Sequence, residues 1–355
     1  DYDLDNADVQ AWYKESIVNT YLATGVDGIR WDLEPNYFGY DLVTQVLNEL
    51  KAQGKKPLFF SEDSNNRNGA YAFEQCYGVT GEGVSSQTVS EVFFNDIDIV
   101  KAIKNGQNIC TGGSSKYYAY QMSSHDVLEY HNVSLASWAY EYAFSSFIPI
   151  FYIGEEWNSD ASGSLTGARI DWNELNSADH AQYYETVKKL LGLRWMYKDI
   201  VNSTVDNHTQ TNICSVDVIG TDHVKGYARY ADNEAIVVVP NVNEKSTADA
   251  TFTVKLPISD MGLNNYSYYT VTDMLTGDMV TSGTAADITY FSETIEHNSA
   301  GVYLVSGNAS DVTWSMSEDG TLTISGTGAI TETPWASAYS TATKVVIEEG
   351  ITSVS

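Results

Sequence analysis

The sequence predicts an α/β domain followed by an all-β one, on three observations. Over roughly the first 200 residues, short apolar, β-branched runs alternate with stretches of helical periodicity. After about Asn202 the helical patterns vanish, and short alternating runs are separated by Asn, Gly, Asp and Pro. After Gly307 the texture changes again, to a segment rich in Ser, Thr and Gly. The boundaries read from these shifts are 1–201, 202–307 and 308–355.

Each element follows from its residues. Asp8 to Leu22 places Val9, Trp12, Tyr13, Ile17 and Tyr21 at helical spacing, and Gly25 stops it. A strand is expected from Val26 to Leu33, a helix from Tyr40 to Leu50 ended by Gly54, and a second strand over Pro57 to Phe60. The pattern recurs as a strand at Gln75 to Val79 and a helix at Ile97 to Ile103. It continues as a strand at Tyr117 to Met122, a helix at Leu135 to Phe147, a strand at Ile148 to Ile153 and a helix at Ala181 to Tyr197.

Five strand units therefore start at about residues 26, 57, 75, 117 and 148. Strands separated by helices of this size indicate right-handed βαβ units and a parallel sheet. Five strands suffice for a doubly wound sheet, whereas an eight-stranded barrel requires three more, and periodicity leaves both open. No Gly-x-Gly-x-x-Gly follows any of the strands, which counts against nucleotide binding. Downstream, Ala235 to Val239, Ala250 to Val254 and Tyr266 to Val271 read as strands of an antiparallel β-sandwich ending near Val305.

Composition removes several classes of function. A hydrophobic share of 43% is that of a globular chain with cores to bury, not of a disordered or fibrous one. The longest apolar stretch, Phe147 to Ile153, falls far short of the roughly 20 residues that cross a bilayer, so no membrane span is expected. Lys+Arg 19 against Asp+Glu 47 gives a net charge of −28, which repels phosphate backbones and excludes nucleic acid as a partner. Such a surface suits a neutral ligand and solubility outside the cell. Tyr 25 and Trp 8 supply many rings that could stack on sugars, although most are expected in cores. Cys76, Cys110 and Cys214 have no metal-ligand spacing and form no disulfide scaffold. The sequons at Asn132, Asn202, Asn207, Asn265 and Asn308 are what Asn-, Ser- and Thr-rich sequence produces by chance.

Three segments put acids at the C-terminal ends of strands, where the loops of a parallel α/β sheet carry active sites. In Gly25-Val-Asp-Gly-Ile-Arg-Trp-Asp-Leu-Glu-Pro35, Arg30 and Asp32 share one side of an extended strand. A cation there keeps the carboxylate ionised and directed, as a nucleophile requires; a plain ion pair at a strand end would look the same. In Pro57-Leu-Phe-Phe-Ser-Glu-Asp63, an apolar run ends in Glu62 at the rim of a core. Burial raises a carboxyl pKa towards that of a general acid, but Glu62 can also be a polar residue where a strand meets water. In Tyr117 to Asp126, the His125-Asp126 pair is a sugar or acid site in company and a capped helix start alone. As a metal site it is incomplete. Two carboxylates on neighbouring strands can sit about 5 Å apart, the separation of a retaining glycosidase.

In their order these segments resemble the conserved motifs of the α-amylase family of glycoside hydrolases. Gly28-Ile-Arg-Trp-Asp32 is similar to that family's strand-four motif, Ser61-Glu62 to its strand-five acid, and Ser124-His-Asp126 to Asn-His-Asp after strand seven. Asp3 to Val9 resembles the loop before helix three, Ile148 to Glu156 strand eight and its loop, and Arg169-Ile-Asp-Trp172 the segment beyond it. The resemblance covers about residues 1–305. It implies a partial (β/α)8 TIM barrel, strands four to eight, followed by the antiparallel β-sandwich and a short β-rich repeat fragment. It implies Asp32 as nucleophile, Glu62 as general acid/base, Asp126 as transition-state stabiliser, and Arg30 and His125 as substrate contacts. Pro35 and Asn36 stand where the family often has Lys and His, which bears on acceptor preference.

The activity so implied is retaining hydrolysis of α-glucosidic bonds in starch-like glucans. A transglycosylase of the same family, or a catalytically silent glucan-binding surface protein, are the alternatives; the presence of all three acids favours an enzyme. No cofactor is required by the residues, and calcium, common in that family, has no complete set of ligands here. Barrel strands one to three would precede Asp1, so the 355 residues alone are expected to be inactive and poorly soluble. Val312 to Ala329, Pro334-Trp335 and Lys344 to Val354 resemble the opening of a bacterial surface-protein leucine-rich repeat array. That implies an extracellular, bacterial protein attached at the cell surface.

Overall fold

The computed structural model describes residues 2–3, 5–31, 39–61, 77–80, 117–120, 133–145, 148–149, 151–161, 169–201, 212–220, 226–241, 249–266, 268–308, 312–326, 328–330, 335, 339–349 and 351–354. Two compact units are present, Asp1–Thr211 and Asn212–Ser355.

The first unit opens with helix α1 (Ala7–Thr24), whose N-terminal amide of Asp8 donates to the Asn6 cap. Gly25 ends it in the left-handed conformation, φ 71°, which a residue without Cβ adopts at no steric cost. Strand β1 (Gly28–Trp31) follows, then α2 (Gly39–Ala52) and β2 (Leu58–Ser61). Strands β3 (Tyr77–Thr80), β4 (Tyr117–Tyr120) and β5 (Ile148–Pro149) complete a five-stranded sheet in the order β1-β2-β3-β4-β5. All four pairings are parallel. Strand order follows chain order without a reversal, so these five strands have no topological switch point of the doubly wound kind.

Ile29 and Trp31 of β1 pack on Val18 and Tyr21 of α1 and on Leu42, Val43, Val46, Leu47 and Leu50 of α2. Alternation along the strand places Arg30 on the opposite side of the sheet, half-buried. The helix expected over 97–103 lies outside the described residues. That expected over 135–147 differs in kind: one α-helical turn, α3 (Leu135–Ser137), runs into a π-helix over Trp138–Ala143. Every residue of the π-helix is buried, including Glu141, and the i and i+4 rings of Trp138 and Tyr142 meet edge-to-face at 4.9 Å. Helices α4 (Ala178–Met196) and α5 (Lys198–Val201) close the unit.

The second unit is built on β6 (Ile213–Ile219), β7 (Gly226–Ala231), β8 (Glu234–Asn241), β9 (Ala250–Lys255), β10 (Tyr268–Asp273), β11 (Met279–Gly283), β12 (Tyr290–Ile295) and β13 (Ser299–Asn308), with a short helix α6 (Ala285–Ile288). They form one antiparallel sheet, ordered β11-β10-β13-β8-β7-β6-β9-β12, rather than two separate layers. The expected sandwich is thus a single sheet folded over, with β6 as its corner. Ile213 to Val216 pair with β7, whereas Asp217 to Ile219 pair with β9. Folding at β6 brings Phe291 of β12 edge-to-face with Tyr303 of β13, ring centroids 5.0 Å apart, around one continuous core.

Beyond it lie β14 (Thr313–Met316), β15 (Thr321–Ser325), β16 (Gly328–Ile330), β17 (Lys344–Ile347) and β18 (Ile351–Val354). Leu322, Ile324 and Trp335 form a small core of their own. Strand β15 pairs with β17 and β16 with β18, both in parallel.

Candidate active site

Because the five-stranded sheet is parallel throughout, its strands present their C-terminal ends at one edge. At that edge Trp31, the last residue of β1, is the Cα partner of Ser61, the last residue of β2. Neighbouring strands lie about 4.8 Å apart. Asp32 and Glu62 are the next residues in sequence after this pair, and Asp126 and His125 follow the end of β4 at Tyr120. All four lie outside the described residues. Arg30 is described: it is the Cα partner of Phe60, on the face turned away from α1 and α2.

The segment leaving β5 is described in detail. A left-handed Gly154, φ 109°, starts a 3-10 turn over Glu155–Trp157, which ends at Asn158, φ 54°. The Glu156 carboxylate accepts from the Gly154 amide at 2.8 Å, closing the turn. Glu155 is fully buried and accepts from the Tyr142 hydroxyl at 3.5 Å. A buried carboxylate needs such partners, because its desolvation is otherwise uncompensated. Burial first, and the nearby Glu155 second, push the Tyr183 phenol well above its ordinary value and keep it neutral. Its hydroxyl donates to the Val133 carbonyl at 2.6 Å. Arg194 of α4 donates through Nη1 to the carbonyls of Tyr142, Ala143 and Ser145, at 2.8, 3.0 and 3.1 Å. One guanidinium thus satisfies the end of the π-helix, where backbone acceptors have no partner within the helix.

Trp157 meets Trp172 with ring centroids 5.2 Å apart and ring planes tilted by 41°. Its indole N–H donates to Glu174 at 2.9 Å, and its carbonyl is 2.8 Å from Nδ1 of His180, which therefore carries the proton and donates. Nε2 of the same ring is 3.6 Å from Asp160. Sequence reasoning recognised both segments by resemblance but assigned neither Trp172 nor Arg194 a role; their roles depend on partners 15 and some 50 residues away. Among the described residues, no group of three or more His, Cys, Asp and Glu could hold a metal ion.

No protein-family model matches the chain, and no curated protein does. Solved structures do. A maltogenic α-amylase of Thermotoga neapolitana superposes with a TM-score of 0.59 at 12% identity, covering 87% of this chain and 68% of that one. The chain has an α-amylase-type fold. An α-amylase of Lactobacillus plantarum gives a TM-score of 0.57 at 12% identity, covering 86% and 68%. A debranching enzyme of Nostoc punctiforme gives 0.52 at 16%, with 87% of this chain matching 63% of that enzyme. The chain thus spans about two thirds of these enzymes' length.

Proposed function

We propose that this chain carries the catalytic acids of a retaining glycoside hydrolase acting on starch-like α-glucans. The observation that carries the reading is the parallel register of Trp31 with Ser61, which sets the residues preceding Asp32 and Glu62 side by side at the C-terminal edge of the sheet. The α-amylase-type fold supports it. In this reading the sheet is the strand-four to strand-eight part of a (β/α)8 barrel, within residues 1–201. Residues 202–307 are the β domain that follows.

Asp32 attacks the anomeric carbon while the Glu62 carboxyl protonates the departing glycosidic oxygen. The glycosyl–Asp32 ester is then opened by water, from which Glu62 takes the proton back. Asp126 favours the distorted, oxocarbenium-like sugar, and Arg30 and His125 hold its hydroxyls. The acidic surface suits this neutral substrate.

The test is reducing-sugar release from soluble starch by the native polypeptide containing these residues. Asp32→Asn and Glu62→Gln should each lower turnover by on the order of 10⁴-fold or more while the fold is kept. A wild-type rate in either variant removes that residue from the mechanism.

Residues 308–355 support a second element of the proposal, the opening coil of a leucine-rich repeat array at the surface of a bacterial cell. Thr321 pairs with Lys344 at an offset of 23 residues that holds along β15/β17, and Gly328 pairs with Ile351 at the same offset before the β16/β18 ladder shifts by one residue at Ala329. Offsets of 23 to 24 residues in two parallel ladders fit one solenoid turn, and leucine-rich repeats run about 20–29 residues. Cell-wall fractionation of the native protein, with and without residues 308–355, tests the attachment.

A further inference from the structure

From the packing around the β5 loop, we infer that Trp172 is a sugar-stacking platform that binds a glucose unit of the glucan chain. This rests on the glycosidase reading above and adds a binding residue to it.

The indole is 57% exposed, whereas Trp157, which it meets, is 2% exposed. An exposed indole offers a large apolar area and a ring face to a ligand that can cover it. Nor is the ring loosely placed. Trp172 begins a 3-10 turn, Trp172–Asn176, capped by Asp171, whose carboxylate accepts from the Asn173 amide at 2.9 Å and its side-chain amide at 2.7 Å. Two residues on, Glu174 grips the Trp157 indole N–H at 2.9 Å, so the upper turn is pinned to the lower one. His180 of α4 fixes the lower turn through the Trp157 carbonyl. Trp172 contacts the buried Trp157 ring at a tilt of 41°, which leaves much of its indole open to solvent beside a fixed support. Pre-ordering of this sort removes much of the entropic penalty of binding.

Position selects the ligand's place. Trp157 is on the segment that leaves β5 at the same sheet edge where β1 and β2 end in Trp31 and Ser61. Trp172 touches that segment, so the platform belongs to the loop layer at the catalytic edge. Chemistry selects the ligand's class. Glu174 holds the Trp157 indole, Asp171 precedes Trp172 and Asp160 lies at His180, a set of acids that disfavours anions and whose free oxygens can accept from hydroxyls. A pyranose offers what this surface complements: an apolar C–H face for the indole and a rim of hydroxyl donors.

The experiment is calorimetric titration of maltoheptaose into the native polypeptide in an Asp32→Asn background, alongside KM for maltoheptaose with Asp32 intact. Trp172→Ala should raise both Kd and KM by roughly three- to tenfold. Trp172→Phe, which keeps a ring, should recover most of the affinity; Trp172→Gln, which keeps bulk without aromaticity, should not. Unchanged Kd in Trp172→Ala overturns the inference, and so does equal weakening in the Phe and Gln variants. If instead Asp32→Asn retains full turnover, the catalytic assignment fails while the titration still reports on Trp172. If Trp172 fails and Asp32→Asn is inactive, catalysis stands without the platform.

Discussion

Trp31 and Ser61 face each other as Cα partners at the ends of two adjacent parallel strands. The residues that follow them are both carboxylic acids, Asp32 and Glu62. The double displacement proposed for these two acids uses a carboxyl separation of about 5 Å, where inverting enzymes use 6.5–9.5 Å. Products should therefore emerge first as α-anomers, followed by mutarotation in proton NMR spectra of maltoheptaose digests. Initial β-anomer would contradict the double displacement.

Arg30 and Trp31 are consecutive yet serve opposite faces. Trp31 is buried against α1 and α2, so Trp31→Ala should lower stability by about 3–5 kcal/mol in urea unfolding. Arg30 lies on the other face, where the proposed mechanism has it contact substrate. Arg30→Ala should lower kcat/KM by on the order of 100-fold with a far smaller effect on stability than Trp31→Ala. Equal stability losses in the two variants would show that Arg30 is merely structural.

Arg194 supports the end of the π-helix. Its Nη1 serves three backbone carbonyls at the end of the π-helix. Arg194→Met retains the aliphatic stem but removes the donors, leaving buried acceptors unpaired, and should destabilise by about 2–4 kcal/mol. Arg194→Lys should restore part of this, since one ammonium cannot reproduce the guanidinium geometry.

Much of the fold was legible because it depends on local signals. Gly25 stops α1 through its own left-handed backbone, and the helical spacing of Tyr13, Ile17 and Tyr21 marks the face that packs on the core, whereas Trp12 of the same pattern lies exposed. The π-helix was not, because its register is set by how Trp138 and Tyr142 pack on each other, not by any periodicity. The folding-over of the second sheet was equally hidden. Alternation shows that β6 has an inner face, but not that its two halves pair with different strands. The acids proposed for the site are named from their order in the sequence and lie outside the described residues. Trp172 could not be so named, since its meaning lies in its contact with Trp157.

Acid sensitivity should come in part from two exposed turns. Asp287 is held below its usual 3.8, first by the Thr284 hydroxyl and then by the Thr284 amide. Asp319 is lowered in the same sense, first by the Ser317 hydroxyl and then by Thr321. A folded-state pKa below the unfolded value means the unfolded chain binds more protons as pH drops. The stabilisation is present above about pH 4 and is lost as pH falls through the folded values. Asp287→Asn and Asp319→Asn should each flatten the decline in urea midpoint between pH 5 and pH 2. Curves parallel to wild type would show that these turns do not contribute.

The last coil makes the sharpest structural prediction. Val345 and Ile347 are Cα partners of Leu322 and Ile324 in a parallel ladder, so they share a face. Leu322 and Ile324 are buried in the small core, yet Val345 and Ile347 are each 48% exposed. Each therefore repeats a core position on the paired strand, with no layer over it among the described residues. Leu322→Ala should destabilise by about 2–5 kcal/mol, and Val345→Ala by less than about 1 kcal/mol. Appending a further coil that repeats residues 331–354 after Ser355 should bury Val345 and raise its substitution towards the Leu322 value. Hydrogen exchange at the β17 amides reads the effect directly, since a new parallel neighbour would protect them. If the added coil leaves both the exchange and the Val345→Ala loss unaltered, residues 308–355 are a closed unit and not the start of an array.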